Sequence, residues 1–368
     1  MGKIRKLRLV VAAALSVAAV PLAIAAPPAP LTPPPAPNIC AKAGLPQGFV
    51  AATRESARTL PDFPDGDDLS EGWVRLGFTI NVEGETTDIV VLDRIGPETM
   101  ARAARRAVAR WKYKPATQDG EPIEQYGNAV DLVFRRQNVG NTAVHDEAVA
   151  KFDEARGLVS AGKYAEGIAL LEQTLRMRLT LYEQAKISFA LAFAYEKSRD
   201  TARALVHVRH TLIESGTFLE KQVVPAARRM RLRLEAANGN LIHAACAAPL
   251  PATDSFDPTG ADIKATAETI ADAKKRLGAT APLSLDGTLL TDPATEGSGV
   301  WEHTLTRSKF KFASLGSGVS QYRINCTRQT LTGQASEALQ TDVPKAAGPC
   351  TLRVYGEIGA SFKLVEEW

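Results

Sequence analysis

From Trp73 the chain alternates strictly: Val74, Leu76, Phe78, Ile80 and Val82 fall on one side, Arg75, Thr79 and Asn81 on the other. A period of two predicts a strand with one face on a core and one in water. Glu83-Gly84 supplies a turn, and residues 88–92 (DIVVL) read as the returning strand. Gly96-Pro97 then opens a helix, proline being suited to a first turn whose N–H has no partner. Met100, Ala104, Ala107, Val108 and Trp111 recur at helical spacing on one face, with Arg102, Arg105, Arg106 and Arg110 off that stripe. After a loop at Asp119-Gly120, residues 129–135 alternate again with Val130, Leu132 and Phe134 on one side. The unit is strand–strand–helix–strand, a small two-layer α/β domain over 61–137.

Residues 145–240 lose this β character. Residues 156–170 (RGLVSAGKYAEGIAL) align with 191–205 (LAFAYEKSRDTARAL) at an offset of 35, and 218–237 read as a closing helix. Helical pairs at such a period are expected to stack as hairpins. After Cys246 the composition shifts again. Residues 262–277 predict an amphipathic helix, and from Leu283 short alternating runs such as Phe310-Lys311-Phe312 and Tyr322-Arg323-Ile324 lie between Gly/Pro turns. Residues 250–368 are therefore expected to form a helix plus a mostly antiparallel β domain. The fold class is α+β and multidomain.

The N-terminus changes both the compartment and the charge. Lys3, Arg5, Lys6 and Arg8 precede an Ala/Val-rich run, Pro21 breaks it, and Ala23-Ile24-Ala25 follows. This is the layout of a secretory signal over 1–25, with cleavage expected after Ala25. The alternative is an uncleaved anchor, because residues 9–26 nearly reach spanning length. Residues 27–37 (PPAPLTPPPAP) favour polyproline II, a semi-rigid spacer of about 35 Å within an N-terminal arm over 26–60. The whole chain carries +3, but without the four basic residues of the signal 40 Lys+Arg face 41 Asp+Glu, giving −1. The basic balance is thus no argument for nucleic-acid binding. Four cysteines remain and none forms CxxC, so an exported chain is expected to carry disulfides. Cys326 follows one β-like run and Cys350 precedes another, which suggests their pairing and leaves Cys40 with Cys246.

Residues 63–137 resemble the TonB C-terminal domain. The motifs that carry the likeness are Phe63-Pro64, Gly72-Trp73-Val74 with Phe78-Thr79-Ile80, and Trp111-Lys112-Tyr113-Lys114-Pro115-Ala116. Phe63, Pro64, Trp111, Tyr113 and Pro115 form the family signature, and Trp111 and Tyr113 also read simply as hydrophobic plugs at a helix end. The resemblance implies an edge strand that captures an extended peptide of an outer-membrane transporter by β-augmentation. That edge would be 129–135, with Val130, Leu132, Val133, Phe134 and Arg135, because the sequence next enters helices. It further implies a periplasmic protein, tethered to the inner membrane beside ExbB and ExbD if 1–25 is retained. Gly162-Lys163-Tyr164-Ala165-Glu166 resembles the turn of TPR repeats, a family that presents peptide-binding grooves. Tyr164, Tyr182 and Tyr195 would then line a groove or fill the core.

No catalytic constellation stands out. His207 and His210 lie at i,i+3 with no third ligand suggested nearby, and His145, His243 and His303 are isolated in the sequence. GxSxG, HExxH, P-loop and dinucleotide fingerprints are absent, and Asp65-Gly66-Asp67-Asp68 reads as a solvated turn. The expectation is a non-enzymatic envelope protein that binds protein or peptide partners, with no cofactor, no metal and no catalytic residue. An enzyme site in 250–368 would require a deep pocket with convergent polar groups.

Overall fold

The computed structural model describes residues 4–6, 47–55, 59–64, 70–136, 142–248, 250–257, 259–338, 340–343 and 348–368. The signal run, the proline-rich segment, the turn at 65–68 and Cys40 lie outside these residues. At the start Ile4–Lys6 (β1) pairs antiparallel with a later strand, Ala143–His145.

The first unit begins with Phe49–Val50 (β2) and Thr53–Arg54 (β3), then Gly72–Ile80 (β4) and Thr86–Ile95 (β5). Glu98–Val108 (α1), Tyr113–Lys114 (β6), Ala116–Gln118 (β7), Glu121–Ile123 (β8) and Gln125–Phe134 (β9) complete it. The main sheet is antiparallel in the order β5-β4-β9. Val74, Leu76, Phe78 and Ile80 point to one side with Val91, Val130, Leu132 and Phe134, and α1 closes over them with Met100, Ala104 and Val108. Pro97 stands at the N-cap of α1. The expectation of a half-solvated first strand is corrected, because Trp73 and Thr79 on its other face are buried too. Helices from later in the chain cover that face. Val82 is not part of the strand: it lies in the 81–85 turn and is exposed. In that turn Gly84 has φ 79°, and a Cβ there would meet the Tyr113 carbonyl oxygen at 1.8 Å. Only glycine lets the turn approach the aromatic segment so closely.

After Ala143–His145 (β10) come Asp146–Ser160 (α2), Tyr164–Leu175 (α3), Leu181–Lys197 (α4), Thr201–Thr211 (α5), Val224–Ala237 (α6), Leu241–Ala245 (α7) and Ala261–Gly278 (α8). Two helix pairs do recur, but α3 and α5 start at 164 and 201, and α2 and α4 end at 160 and 197. The structural offset is 37, not 35. The sequence alignment matched small residues, whereas both connecting turns are three residues long and fix the true register. The closing helix starts at Val224, since Phe218 is buried in an irregular turn following Ile213–Gly216.

The last unit comprises Leu283–Thr288 (β11), Leu290–Thr291 (β12), Gly299–Thr304 (β13), Lys309–Leu315 (β14) and Val319–Cys326 (β15). Thr330–Gln334 (β16), Gln340–Asp342 (β17), Cys350–Gly356 (β18) and Ser361–Glu367 (β19) follow. Two antiparallel sheets, β11-β19-β14-β17 and β12-β13-β18-β15-β16, share one core that contains Phe310, Phe312, Tyr322, Ile324, Leu352 and Phe362. Cys326 lies opposite Cys350 across β15 and β18, and the two are bonded. Cys246 is also in a disulfide.

The units meet through polar as well as apolar contacts. Glu71, 3% exposed, accepts the Leu181 N–H at 2.9 Å and the Arg136 N–H at 3.1 Å. Trp73 sits with Leu181, Ala185, Ile213 and Phe218 on the sheet face away from α1. Asn240 in the α6–α7 turn touches His303 of β13 at 3.3 Å.

Candidate peptide-binding edge

β9 is outermost in its sheet, and no strand among the described residues pairs with its outer side. The opposite edge is engaged, because Arg353 of β18 donates to the Leu92 carbonyl of β5 at 3.2 Å. Both faces are covered as well, one by α1 and one by α4 and the segment 213–218, with His210 of α5 edge-on to Trp73. The start of β9 is held where the Tyr126 N–H donates to the Thr327 carbonyl at 2.8 Å. A bulge beside Gly127 (φ 68°) interrupts the pairing with β4 between Phe78 and Ile80.

The five residues expected at this edge do not form one surface. Val130, Leu132 and Phe134 point into the core under α1, each less than 8% exposed. Val133 packs on the opposite face against the Trp73 cluster. Arg135 lies just past the strand, its guanidinium 5.5 Å from the Phe218 ring. What the strand offers an incoming chain is therefore its backbone.

The signature residues are drawn together by the fold. Trp111 is 1% exposed, and its Nε1–H donates to the Thr59 carbonyl at 3.0 Å. Phe78 meets it edge-on at 6.2 Å and Tyr113 packs on Phe78 at 6.0 Å. Phe63 stands edge-on to Phe134 at 6.2 Å. Pro115 separates β6 from β7.

None of the histidines is isolated. His210 Nε2 lies 2.9 Å from the Asp93 carboxylate, joining α5 to the sheet. His207 stacks on Tyr195, and burial with His210 beside it lowers its pKa to about 3. His145 contacts Glu183 at 2.9 Å, His243 approaches Glu235 at 3.9 Å, and the fully buried His303 meets Glu366 at 2.6 Å. Burial opposes the charge of Glu366, but His303 and the N–H groups of Thr306 and Arg307 hold its carboxyl below the ordinary range. The partners of His145, His210 and His303 lie 38 to 117 residues away in the chain, so no local pattern announces those pairs. Tyr182 and Tyr195 are core residues whose hydroxyls donate to Glu220 and Glu172. Among the described residues no group of His, Cys, Asp and Glu is arranged to hold a metal. An open groove of about 480 Å³ runs beside Asp292, Ser298, Gln321, Tyr355 and Glu357.

Residues 69–135 match the family model for the Gram-negative bacterial TonB protein C-terminal. The TonB2 protein from Vibrio anguillarum, a solved structure, is 34% identical over 22% of this chain and 85% of that one, with a TM-score of 0.17. No curated protein matches the chain. The chain contains a domain of the TonB C-terminal type at residues 69–135. Among the described residues no helix is long and apolar enough to cross a membrane.

Proposed function

We propose that the protein is a non-enzymatic TonB-family protein that holds an extended peptide, such as a segment of an outer-membrane transporter, as an added strand on β9 in the periplasm. The observation that supports this reading is the placement of β9: outermost in the sheet, with no strand on its outer side among the described residues. Strand addition uses backbone hydrogen bonds for affinity, which suits an edge whose side chains are committed to two cores. Arg135 and Arg136 at the strand's end favour an acidic segment. The helical pairs serve the same function as a support beneath the sheet and, in a TPR-like role, as a further surface for partners.

The test is a titration of labelled extended transporter segments into the mature chain. Binding is expected, and Val133→Pro is expected to weaken it at least tenfold by distorting the edge. Unfolding midpoints measured in parallel separate lost binding from lost fold. A mature chain that binds none of the segments at millimolar concentration rules the reading out. Intact-mass measurement on protein from native envelopes decides the tether: a chain beginning at Ala26 is expected, and a full-length mass would place the same function beside ExbB and ExbD.

A further inference from the structure

The sequence signature around Trp111 is not used by the β9 edge, yet it carries a strand of its own. β2 pairs with β7 (Phe49 opposite Gln118, Val50 opposite Thr117) and β3 with β6 (Thr53 opposite Lys114, Arg54 opposite Tyr113). The arm is thus the outer strand over 113–118, a segment whose other side meets the short strand β8 at 116–118 and the 81–85 turn at Tyr113, whose N–H donates to the Gly84 carbonyl at 2.8 Å. Further bonds fasten it. The Glu55 N–H donates to the Lys112 carbonyl at 3.0 Å, the Asp119 N–H to the Gly48 carbonyl at 3.0 Å, and the Ala52 N–H to Gln125 Oε1 at 2.8 Å. The Arg54 guanidinium lies 5.1 Å from the centre of the Trp111 ring.

This arm is lightly held. Its two strands have two residues each, separated by Ala51-Ala52, and Val50 is 62% exposed. Only Ala52 joins the core under α1, as a partly buried contact. Segments with few buried apolar contacts and exposed backbone bonds open locally, far below the free energy of global unfolding. Opening would uncover a strand edge and the face of the Trp111 indole that Arg54 covers, the elements of a peptide groove.

We propose that 113–118 together with Trp111 is a second strand-accepting site, kept closed by the chain's own residues 47–55. Its external ligand is an extended peptide with the arm's chemistry: an arginine to lie over the indole and an apolar residue five positions before it, as Phe49 precedes Arg54. The arm and the ligand compete for one edge, so the observed affinity is the intrinsic one reduced by the fraction of molecules with the arm displaced. The site touches β9 at Gln125, eight residues before Val133, and does not use the outer edge of β9.

The probe is a fluorescein-labelled peptide of residues 47–59, titrated into the full mature chain by anisotropy. Wild type is expected to bind weakly, and the Ala52→Pro/Arg54→Ala double variant, whose own arm has lost the bond to Gln125 and the contact with Trp111, at least tenfold more tightly. Val133→Pro, which disturbs β9, is expected to leave this binding unchanged. Equal affinity of wild type and the double variant, or no binding to either, overturns the proposal. Hydrogen exchange on wild type is the second measurement and needs no variant. The amides of Glu55 and Asp119 are expected to exchange at least 100-fold faster than those of β4, and protection equal to that of β4 means that the arm never leaves.

Discussion

Glu235 shows how a single side chain couples this structure to pH. Its carboxylate is 1% exposed between Arg209 at 2.7 Å and Arg231 at 3.3 Å. Burial alone would raise its pKa, but Arg209 overrides it and holds the group at about 2, below an unfolded value near 4.5. The native state therefore prefers the charged form. The stabilisation is fully present above about pH 4.5 and is lost as pH falls towards 2, amounting to about 3 kcal/mol. Urea unfolding between pH 7 and 3 should show this loss, and Glu235→Gln should flatten it while lowering stability at neutral pH. His207 acts in a higher window. Burial favours its neutral form, so its contribution is complete above about pH 6.5 and declines with acidification towards 3. His207→Phe is expected to reduce the slope of stability between pH 6.5 and 4.5, and an unchanged slope would count against a buried neutral imidazole. The His207/His210 pair was visible in the sequence as an i,i+3 spacing. Its meaning was not, because Asp93 lies 117 residues before His210 and only the tertiary fold brings them together.

At the scale of elements, strong periodicity was readable and everything that depends on distant pairing was not. The alternation from Trp73 announced β4, but one apolar face was visible where the folded strand has two. The second face contains Trp73, Gly77 and Thr79, a set without a simple hydrophobic pattern, and helices more than 100 residues later bury it. The strands β2, β3, β6 and β7 have two or three residues each and no period to detect. The helix α4 is set by local chemistry: Thr180 and Glu183 form a reciprocal capping box at its start. Thr180→Ala should cost about 1–2 kcal/mol, measured by denaturant unfolding, because one N–H at the helix start loses its acceptor. In the last unit the Cys326–Cys350 bond closes a short loop of the β core. Replacing both by serine should lower stability by about 3 kcal/mol in the chain-entropy account, with non-reducing peptide mapping confirming the linkage in the wild type.

For the whole molecule, the TonB-type unit is one layer of a larger body. Cutting it out at 70–136 would expose Trp73, Ile95 and Val133 and would deprive Glu71 of the Leu181 N–H. Such a fragment is expected to bind a hydrophobic dye and to unfold at lower denaturant than the same unit in the intact chain. A fragment as stable as the intact unit would show that the helices merely sit beside it. Resemblance to the family was legible from the Trp111–Ala116 motif, but nothing in that motif reveals what lies behind the sheet. One residue concentrates the consequence. Glu71 stands just before β4, accepts the backbone N–H of Arg136 just past the end of β9, and accepts that of Leu181 at the start of α4. Three chain directions meet at a single carboxylate, so the end of β9 and the start of a 17-residue helix about 25 Å long are fixed to one another through one side chain.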